Sequence, residues 1–313
     1  MLCVNLLTTD PFFNLATEEY LLKNTREEYL ILYIDKPSVI IGKHQVAHRE
    51  ADTEYITKNN IPVIRRISGG GTVYHDQGNL NFTFIINGKK GTQIDFRKYT
   101  LPVINFLSAL GVEAKFEGKN DLKVNGLKIS GNAEHIYHER VLHHGTLLFD
   151  SQLDVLKKSL REDKSHYSTR AVSSNPSSVV NLKKVIPGIK DIDEFRQLML
   201  KYFLNQSGNK IYELTSESVN EIDSLAETKF RTWEWNYAYG PEYHFNNNFK
   251  VNGIVHSCHL FVKDGIIREC EIKGSDELSK TSIKLVGCKH ITEELNRVFN
   301  GVINKDNFVE WIF

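Results

Sequence analysis

The segment RRISGGGTVYHDQGNLNF, residues 65–82, interrupts a strand with three consecutive glycines. Glycine weakens an ordinary strand, so a run of three calls for either a sharp turn or a ligand lying on the backbone. Without a Cβ, the backbone of residues 69–71 reaches positive φ, and successive N–H groups in such a turn form an anion-binding concavity. These residues alone leave a second interpretation open, a β-bulge beside a solvated arginine.

Alternation along the strand before the glycines places Arg66 and Ser68 on one face, where they flank the turn together. A guanidinium is suited to holding a carboxylate or phosphate through two N–H bonds. Two common nucleotide motifs are excluded, because G-x-G-x-x-G is absent and no G-K-S/T follows the glycines. The segment therefore favours an anion site of another type.

A second polar cluster lies in NDLKVNGLKISGNAEH, residues 120–135, where Asn-Gly at 125–126 predicts a hairpin with a two-residue turn. In the simplest register Lys123 faces Lys128 and Asp121 faces Ser130, so all four polar side chains share one face. Two opposed lysines repel each other unless an anion lies near them, and a carboxylate beside them suits Mg²⁺ against a phosphate. A solvated edge hairpin is the alternative.

Composition describes an ordinary globular chain. With 313 residues, it can bury roughly 75% of its unfolded surface. Its net charge of +0 argues against a bulk nucleic-acid or polybasic membrane binder. No apolar run approaches the roughly 20 residues of a membrane helix, and MLCVNLLTTD lacks the features of a signal peptide. Four cysteines without C-x-x-C are typical of reduced thiols. We expect a cytoplasmic monomer that binds neither nucleic acid nor membrane.

Helices and strands are mixed without regular βαβ alternation, which predicts the α+β class. Predicted strands cover residues 30–34, 38–42, 61–67 and 80–86, with more strands after Phe249 around an Asp-Gly turn at 264–265. Predicted helices begin at Asp10-Pro11 and cover 100–110, 191–206, 216–230 and about 292–299. The Ser-rich residues 165–178 are predicted to form a mobile loop. A domain boundary is predicted at FNNNF, giving domains of residues 1–246 and 247–313.

The glycine segment at 65–82 and the hairpin segment at 120–135, together with HHGTLL at 143–148, resemble the lipoate–protein ligase A family. FFNLATEEYLL at 12–22 and FRTWEWNYAYGPEYHF at 230–245 fit the same family, so the resemblance covers essentially the whole chain. It implies a biotin/lipoate protein ligase-like catalytic domain, with mixed sheets packed by helices, followed by a small α+β accessory domain.

The resemblance implies a two-step reaction that uses ATP, Mg²⁺ and lipoate. Lipoate and ATP condense to lipoyl-AMP and pyrophosphate. The lipoyl group then passes to a specific lysine of a partner. The family's partners are the lipoyl domains of 2-oxoacid dehydrogenase E2 subunits and the glycine-cleavage H protein.

The resemblance also implies roles for individual residues. Lys128 matches the lysine of the K-x-S-G motif and would bridge the lipoate carboxyl and the α-phosphate, where its charge offsets negative charge in both steps. Arg66 would hold the nucleotide phosphates, Asp121 would face them through Mg²⁺, and Glu18 would lie against lipoate. The other positions expected to contact ATP or lipoyl-AMP are Ser68, Gly70, Gly71, Thr72, Val73, Tyr74, His75 and Asn120.

Some positions depart from the family pattern or invite another interpretation. His135 replaces an arginine of some family members and receives no role, and Lys123 aligns only loosely. Neighbouring histidines and a cysteine suggest zinc but are more often structural; they are His143, His144, His256, Cys258 and His259. The aromatic residues 233–245 are predicted to form core packing and an inter-domain seam.

Three other functions stay open at this point. A transferase of the same fold with a cysteine acyl-enzyme needs a thiol near the pocket, yet no cysteine lies between Cys3 and Cys258. A transferase that accepts preformed lipoyl-AMP, or another acyl donor, would use the same binding residues. A non-catalytic lipoate- or nucleotide-binding module would be expected to lose Lys128 first. A biotin ligase is disfavoured, because its glycine loop does not match RRISGGG.

Overall fold

The computed structural model describes residues 1–88, 95–175, 177–300 and 308–313. Its strands are β1 Leu2–Asn5, β2 Tyr29–Ile34, β3 Ser38–Ile41, β4 Val63–Arg65, β5 Val73–His75, β6 Asn79–Asn87, β7 Lys115–Glu117, β8 Asp121–Val124, β9 Leu127–Tyr137, β10 Arg140–Leu148, β11 Tyr167–Ser168, β12 Lys210–Ile211, β13 Tyr243–Val251, β14 Ile254–Lys263 and β15 Ile266–Lys273.

The α-helices are α1 Pro11–Asn24, α2 Ala47–Glu50, α3 Thr53–Lys58, α4 Phe96–Ala109, α5 Leu153–Ser159, α6 Ile192–Leu204, α7 Ser216–Leu225, α8 Asp276–Leu285, α9 Thr292–Phe299 and α10 Phe308–Ile312. A 3₁₀ turn covers Leu182–Lys184, and π-helical turns cover Ala226–Phe230 and Glu234–Ala238. In the described residues no helix is both long and apolar enough to cross a membrane.

The chain divides into two compact units. Unit 1 comprises Met1–Lys43, Ile64–Lys157 and Asn175–Arg231, and unit 2 comprises His44–Val63, Lys158–Ser174 and Thr232–Phe313. Strand β13 runs through residue 246 within unit 2. The functional division into residues 1–246 and 247–313 stays a prediction.

Unit 1 is built on a mixed sheet of eight strands in the order β12-β1-β2-β6-β10-β9-β8-β7. Strands β12, β1 and β2 are parallel, and the pairs from β2 to β7 are antiparallel. Helices α4 and α6 contribute Phe106, Phe195 and Phe203 to a core that includes Phe82 and Phe84 of β6. Central strands of this kind are buried on both faces, which explains the nearly continuous apolar run of β2.

Unit 2 contains the antiparallel sheet β11-β13-β14-β15. One face carries Phe245, Leu260 and Ile272, which pack with apolar residues of α8 and α9. Asp264 and Gly265 adopt φ of 52° and 67° and form the predicted turn between β14 and β15. These two units confirm the α+β class.

Several local predictions are confirmed. Helix α1 begins at Pro11 behind Asp10, whose carboxylate accepts the Phe12 N–H at 3.1 Å. At the predicted hairpin turn, Asn125 and Gly126 have φ of 51° and 77°, as a type I′ turn requires.

Other predictions need correction. The predicted strand 61–67 is regular only over Val63–Arg65, because the chain then bends into the glycine turn. The predicted helix 100–110 begins earlier, at Phe96, behind an Asp95 cap. Helix α8 was missed. Residues 167–168 of the predicted loop form β11, and the mobility of that loop stays a prediction, with residue 176 outside the described residues.

The hairpin register differs from the simplest one. Lys123 faces Lys128 as predicted, but a register shift between Leu122 and Lys123 places Asp121 opposite Gly131, not Ser130. Ser130 instead faces Leu122 and is fully buried. The expected polar face therefore lacks Ser130.

Candidate active site

The glycine turn is organised by the buried guanidinium of Arg66. Its Nη2 donates to the carbonyl oxygens of Gly69 and Gly71 at 2.6 and 2.7 Å. Its Nη1 donates to the carbonyl of Ile40 at 3.2 Å, and its Nε donates to Ser68 Oγ at 2.9 Å. Burial lowers the pKa of Arg66 to about 10, which leaves the group cationic at neutral pH. Arg66 and Ser68 flank the turn as predicted, while a contact of Arg66 with phosphate stays a prediction.

These carbonyl contacts fix the direction of the neighbouring N–H groups. In a planar trans peptide the N–H points opposite to the C=O. Because the carbonyls of Gly69 and Gly71 point at Arg66, the N–H groups of Gly70 and Thr72 point away from it. Gly70 has φ of 86°, which a side chain would disfavour. Donors arranged in this way suit an anion such as a phosphate.

The turn lies against strand β9. A Cβ placed on Gly70 would come within 3.7 Å of the Cβ of Ala133. A Cβ placed on Gly131 would lie 3.1 Å from Lys128 Nζ and 3.8 Å from Cγ1 of Val73, the first residue of β5 after the turn. The Lys128 amine and the segment that follows the glycines therefore meet beside Gly131.

Lys128 pairs with a carboxylate on the neighbouring strand. Its Nζ lies 2.8 Å from Asp121 Oδ1, and both side chains are only about one-fifth exposed, at 21% and 18%. Lys123, opposite Lys128, lies 3.4 Å from Glu117. Each lysine therefore has a carboxylate partner, so their opposition does not by itself require a bound anion. The structure brings together Lys128, Asp121 and the glycine turn, and places Lys123 with another partner.

The backbone of Lys128 is held by a segment that the sequence analysis did not identify. Its N–H donates to the carbonyl of Ser178 at 2.9 Å, and its carbonyl accepts the Val180 N–H at 3.0 Å. These two bonds form a parallel bridge between Lys128 and Val179. The pairing joins residues about fifty positions apart, so no local pattern could have shown it.

Asn120 is bonded to the neighbouring strand. Its amide donates to the carbonyl of Asn132, and the Asn132 side-chain amide donates to the Asn120 carbonyl at 3.0 Å. Gly145 leaves room for this arrangement, because a Cβ there would lie 2.3 Å from Asn132 Oδ1. No sequence pattern had indicated Asn132 as part of the site. The predicted contact of Asn120 with phosphates stays a prediction.

His75, on β5, is also placed by a buried carboxylate that was missed. Its Nδ1 lies 2.7 Å from Asp35 Oδ2, and Asn14 donates to the other oxygen of Asp35 at 2.7 Å. Burial raises the pKa of Asp35, although the hydrogen bond from His75 opposes that shift. Thr72 and Tyr74 flank Val73 on the same segment. The contacts predicted between this segment and ATP stay predictions.

Glu18 is fully buried on α1 and accepts hydrogen bonds from Tyr33 OH at 2.9 Å, from Thr83 Oγ1 and from His144 Nδ1 at 2.9 Å. Burial alone would raise its pKa, but the charge and hydrogen bond of His144, together with the hydrogen bonds from Thr83 and Tyr33, lower it overall. The carboxylate is therefore ionised and bonded inside unit 1. Its predicted contact with lipoate stays a prediction.

Two other histidines that suggested zinc are hydrogen-bonded to protein side chains. His143 Nδ1 lies 2.9 Å from Glu134, and His256 lies 3.2 Å from Ser275 Oγ. At the position that departs from the family pattern, burial lowers the pKa of His135 to about 4, and the charges of Lys43 and Lys23 act in the same direction.

Comparison with known proteins identifies the family. The model of the lipoyl protein ligase A/B catalytic domain matches residues 10–204. Lipoate–protein ligase 1 of Staphylococcus aureus is 37% identical over 298 residues, covering 93% of this chain and 91% of the relative. Lipoate-protein ligase LplJ of Bacillus subtilis is 37% identical over 323 residues, covering 97% of each chain. The chain belongs to the lipoate–protein ligase family, as the sequence resemblance implied.

Solved structures share the fold over three-quarters of this chain. A lipoate-protein ligase A bound with ATP matches with a TM-score of 0.63 and 28% identity, covering 75% of this chain and 98% of that one. A putative lipoate protein ligase from T. acidophilum with bound lipoic acid gives the same TM-score, identity and coverage. A bi-partite lipoate protein ligase from Thermoplasma acidophilum, described with its E2 lipoyl domain, matches with a TM-score of 0.64 and 30% identity, covering 75% and 96%.

Proposed function

We propose that this chain is an ATP-dependent lipoate–protein ligase that activates lipoate and transfers it to a lysine of an acceptor protein. The observation that carries the proposal is that the Lys128 amine and Val73, which follows the glycine turn, both lie beside Gly131. This arrangement places a cation beside the residue that follows the glycine turn, and the N–H groups of the turn point away from Arg66. A cation and backbone donors together suit a carboxylate and a phosphate that react with each other. The ATP-bound and lipoic acid-bound relatives support the choice of substrates.

In the first step, a lipoate carboxylate oxygen attacks the α-phosphorus of ATP, and the bond to the pyrophosphate oxygen breaks. The products are lipoyl-AMP and pyrophosphate. The Lys128 ammonium would neutralise the charge shared by the carboxylate and the α-phosphate. The N–H groups of Gly70 and Thr72 would hold phosphate oxygens, so that the reacting atoms stay in line.

In the second step, the amine of the acceptor lysine attacks the acyl carbon, and the carbon–oxygen bond to AMP breaks. The products are the lipoyl amide, AMP and a proton. Lys128 is not the nucleophile in this step. Its charge stabilises the negative charge that collects on the carbonyl oxygen and on the departing phosphate.

Asp121 fits the requirements of Mg²⁺ in such a site. Magnesium is held by one or two carboxylates together with substrate phosphates and water, so a dedicated protein cage is not needed. The Asp121 carboxylate is partly exposed and lies beside Lys128. When bound, Mg²⁺ would neutralise phosphate charge, and Asp121 would be its protein ligand.

The proposed acceptors are the lipoyl domains of 2-oxoacid dehydrogenase E2 subunits and the glycine-cleavage H protein. The relative described with its E2 lipoyl domain supports the first acceptor. We place the protein in the cytoplasm, because its four cysteines are free thiols, as in a reducing compartment. We propose that it acts as a monomer. In this proposal residues 1–246 carry the chemistry and residues 247–313 form an accessory domain.

The second candidate is a transferase of the same family that accepts preformed lipoyl-AMP or another acyl donor. A cysteine acyl-enzyme is disfavoured, because Cys3 is the one cysteine in the sequence of unit 1 and is fully buried. Burial also raises the pKa of Cys3, which disfavours its thiolate.

The test is pyrophosphate release from ATP and Mg²⁺, with and without lipoate and with no acceptor present. Lipoate-dependent release is expected of a ligase. No release, combined with transfer from synthetic lipoyl-AMP to a lipoyl domain, would instead establish the transferase. No activity in either assay would refute both functions.

A further inference from the structure

A buried chain of hydrogen bonds links helix α1 to the glycine turn. Glu18 Oε2 lies 2.9 Å from His144 Nδ1, and His144 Nε2 lies 2.6 Å from Ser68 Oγ. Ser68 in turn accepts the Nε–H of Arg66 at 2.9 Å. All four side chains are more than nine-tenths buried. The chain joins residues from α1, from β10 and from the segment that precedes the glycines.

The chemistry of these groups sets the direction of each bond. Glu18 is ionised and only accepts, so His144 carries a hydrogen on Nδ1. In a neutral imidazole Nε2 is then an acceptor, and in the charged imidazolium, which attracts the Glu18 carboxylate, Nε2 is a donor. Ser68 suits both states of the ring, because the Arg66 N–H takes one of its lone pairs and leaves the hydroxyl hydrogen and the second lone pair for His144. Every member of the chain therefore has a complementary neighbour.

The far end of the chain is itself fixed. Tyr33 and Thr83 both donate to the second oxygen of Glu18, so the carboxylate has little freedom to rotate. The other end of this hydrogen-bond chain is Arg66, whose Nη2 donates to the carbonyls of Gly69 and Gly71 in the turn. A displacement of Ser68 would release Arg66 Nε, and the guanidinium plane could then tilt away from those carbonyls.

We propose that His144 is a positioning residue for phosphate binding, which acts through Ser68 and Arg66 to aim the N–H groups of Gly70 and Thr72. The inference rests on the proposed function, because it assumes that the turn receives the phosphates of ATP. His144 would therefore affect ATP binding through Ser68 and Arg66, without a contact of its own to ATP. The expected result of losing the His144–Ser68 bond is weaker ATP binding in a folded enzyme.

Two substitutions that differ by one methylene separate the two bonds of His144. His144→Gln can place its amide near the position of Nε2 and so keep a bond to Ser68. His144→Asn can place its amide near the position of Nδ1 and keep only the bond to Glu18. One net hydrogen bond corresponds to about a tenfold change in binding. We expect KM for ATP to rise about tenfold in His144→Asn and to stay within about threefold of wild type in His144→Gln.

The division between KM and kcat distinguishes positioning from a merely structural role. A structural defect lowers the fraction of active enzyme, so kcat falls while KM for ATP is unchanged. Displacement of the phosphate donors raises KM for ATP, and any fall in kcat accompanies that rise. Equal KM values in the two variants, or a loss confined to kcat, would overturn the inference.

Ser68→Ala keeps the test decisive if His144→Asn does not fold. It removes the shared oxygen and leaves His144 bonded to Glu18, so it should raise KM for ATP by about the same factor. In the double variant of Ser68→Ala with His144→Asn, the two effects should not multiply, because both break one chain. Multiplying effects would contradict the proposal.

Wild-type enzyme in the same assay separates this inference from the proposed function. If wild type releases no pyrophosphate with lipoate, the proposed ligase activity is wrong. If wild type is active and all three variants have its KM for ATP, the ligase activity stands and the role of His144 is wrong.

Discussion

Gly131→Ala should lower the rate of the reaction without destabilising the fold. The added Cβ would lie 3.1 Å from Lys128 Nζ and 3.2 Å from Lys128 Cε, closer than nine in ten real Cβ contacts. Those atoms are the far end of a flexible side chain, so the amine can yield by a few tenths of an ångström. The third neighbour, Val73 Cγ1 at 3.8 Å, is in ordinary contact.

The two consequences have different magnitudes. Gly131 does not have positive φ, so alanine fits its backbone. Alanine also lowers the conformational entropy of the unfolded chain, which should raise the free energy of unfolding by about 0.4–1 kcal/mol. Stability should therefore stay level or rise slightly. A misplacement of 1 Å at a reacting centre costs about 100-fold, so a shift of a few tenths of an ångström should lower kcat/KM for pyrophosphate release about tenfold.

Gly188→Ala is the matched control. A Cβ there meets nothing within 4 Å, and Gly188 also lacks positive φ. We expect wild-type kcat/KM from this control and melting temperatures that are equal or higher in both variants. Wild-type activity in a folded Gly131→Ala protein would refute the conclusion that Lys128 acts from its position beside Gly131. A large fall in melting temperature would refute the claim that the side chain yields.

Two other predictions concern the backbone of Lys128 and the acid stability of unit 2. Val180→Pro removes the N–H that binds the Lys128 carbonyl and should lower pyrophosphate release about tenfold. The control, Val179→Pro, keeps both bonds of the bridge and should retain activity. Equal losses in the two variants would count against a role for the bridge. His290 has a pKa lowered to about 4 by burial, so its contribution to stability is complete above about pH 6.5 and is lost as pH falls towards 4. His48, which contacts His290 in unit 2, also has a pKa lowered by burial and adds its own loss of stability in acid. Between pH 7.5 and pH 5, His290→Gln should therefore reduce the loss of unfolding free energy in urea by about 2 kcal/mol, and an unchanged loss would refute this assignment. The tryptophans all lie in unit 2 and report its unfolding by fluorescence; they are Trp233, Trp235 and Trp311.

The parts of the site that sequence could predict are those with a local signal. Three glycines without Cβ atoms, an Asn-Gly turn and an Asp-Pro helix start each restrict φ and ψ within a few residues. Lys128 was found because its motif is contiguous. The position of Arg66 beside the turn also followed from strand alternation over two residues.

The missed parts depend on partners far apart in sequence. A bulge beside Leu122 changed the partner of Asp121, and nothing in the local residues marks such an irregularity. The pairing of Val179 with Lys128 requires a folded sheet before it can form. Glu18 was expected in the site, but its bond to His144 was not, and Asp35 was missed altogether, because only the fold shows which histidines these buried carboxylates meet.

The most direct measurement compares Lys128→Ala with Lys123→Ala in both half-reactions. The two lysines face each other across the hairpin, but only the Lys128 amine lies beside Gly131, while Lys123 pairs with Glu117. We expect Lys128→Ala to stay folded and to lose both lipoate-dependent pyrophosphate release and transfer from lipoyl-AMP. Lys123→Ala should keep at least about half of each rate, because an exposed ion pair contributes little. Normal turnover in a folded Lys128→Ala protein, or equal losses in the two variants, would contradict the account.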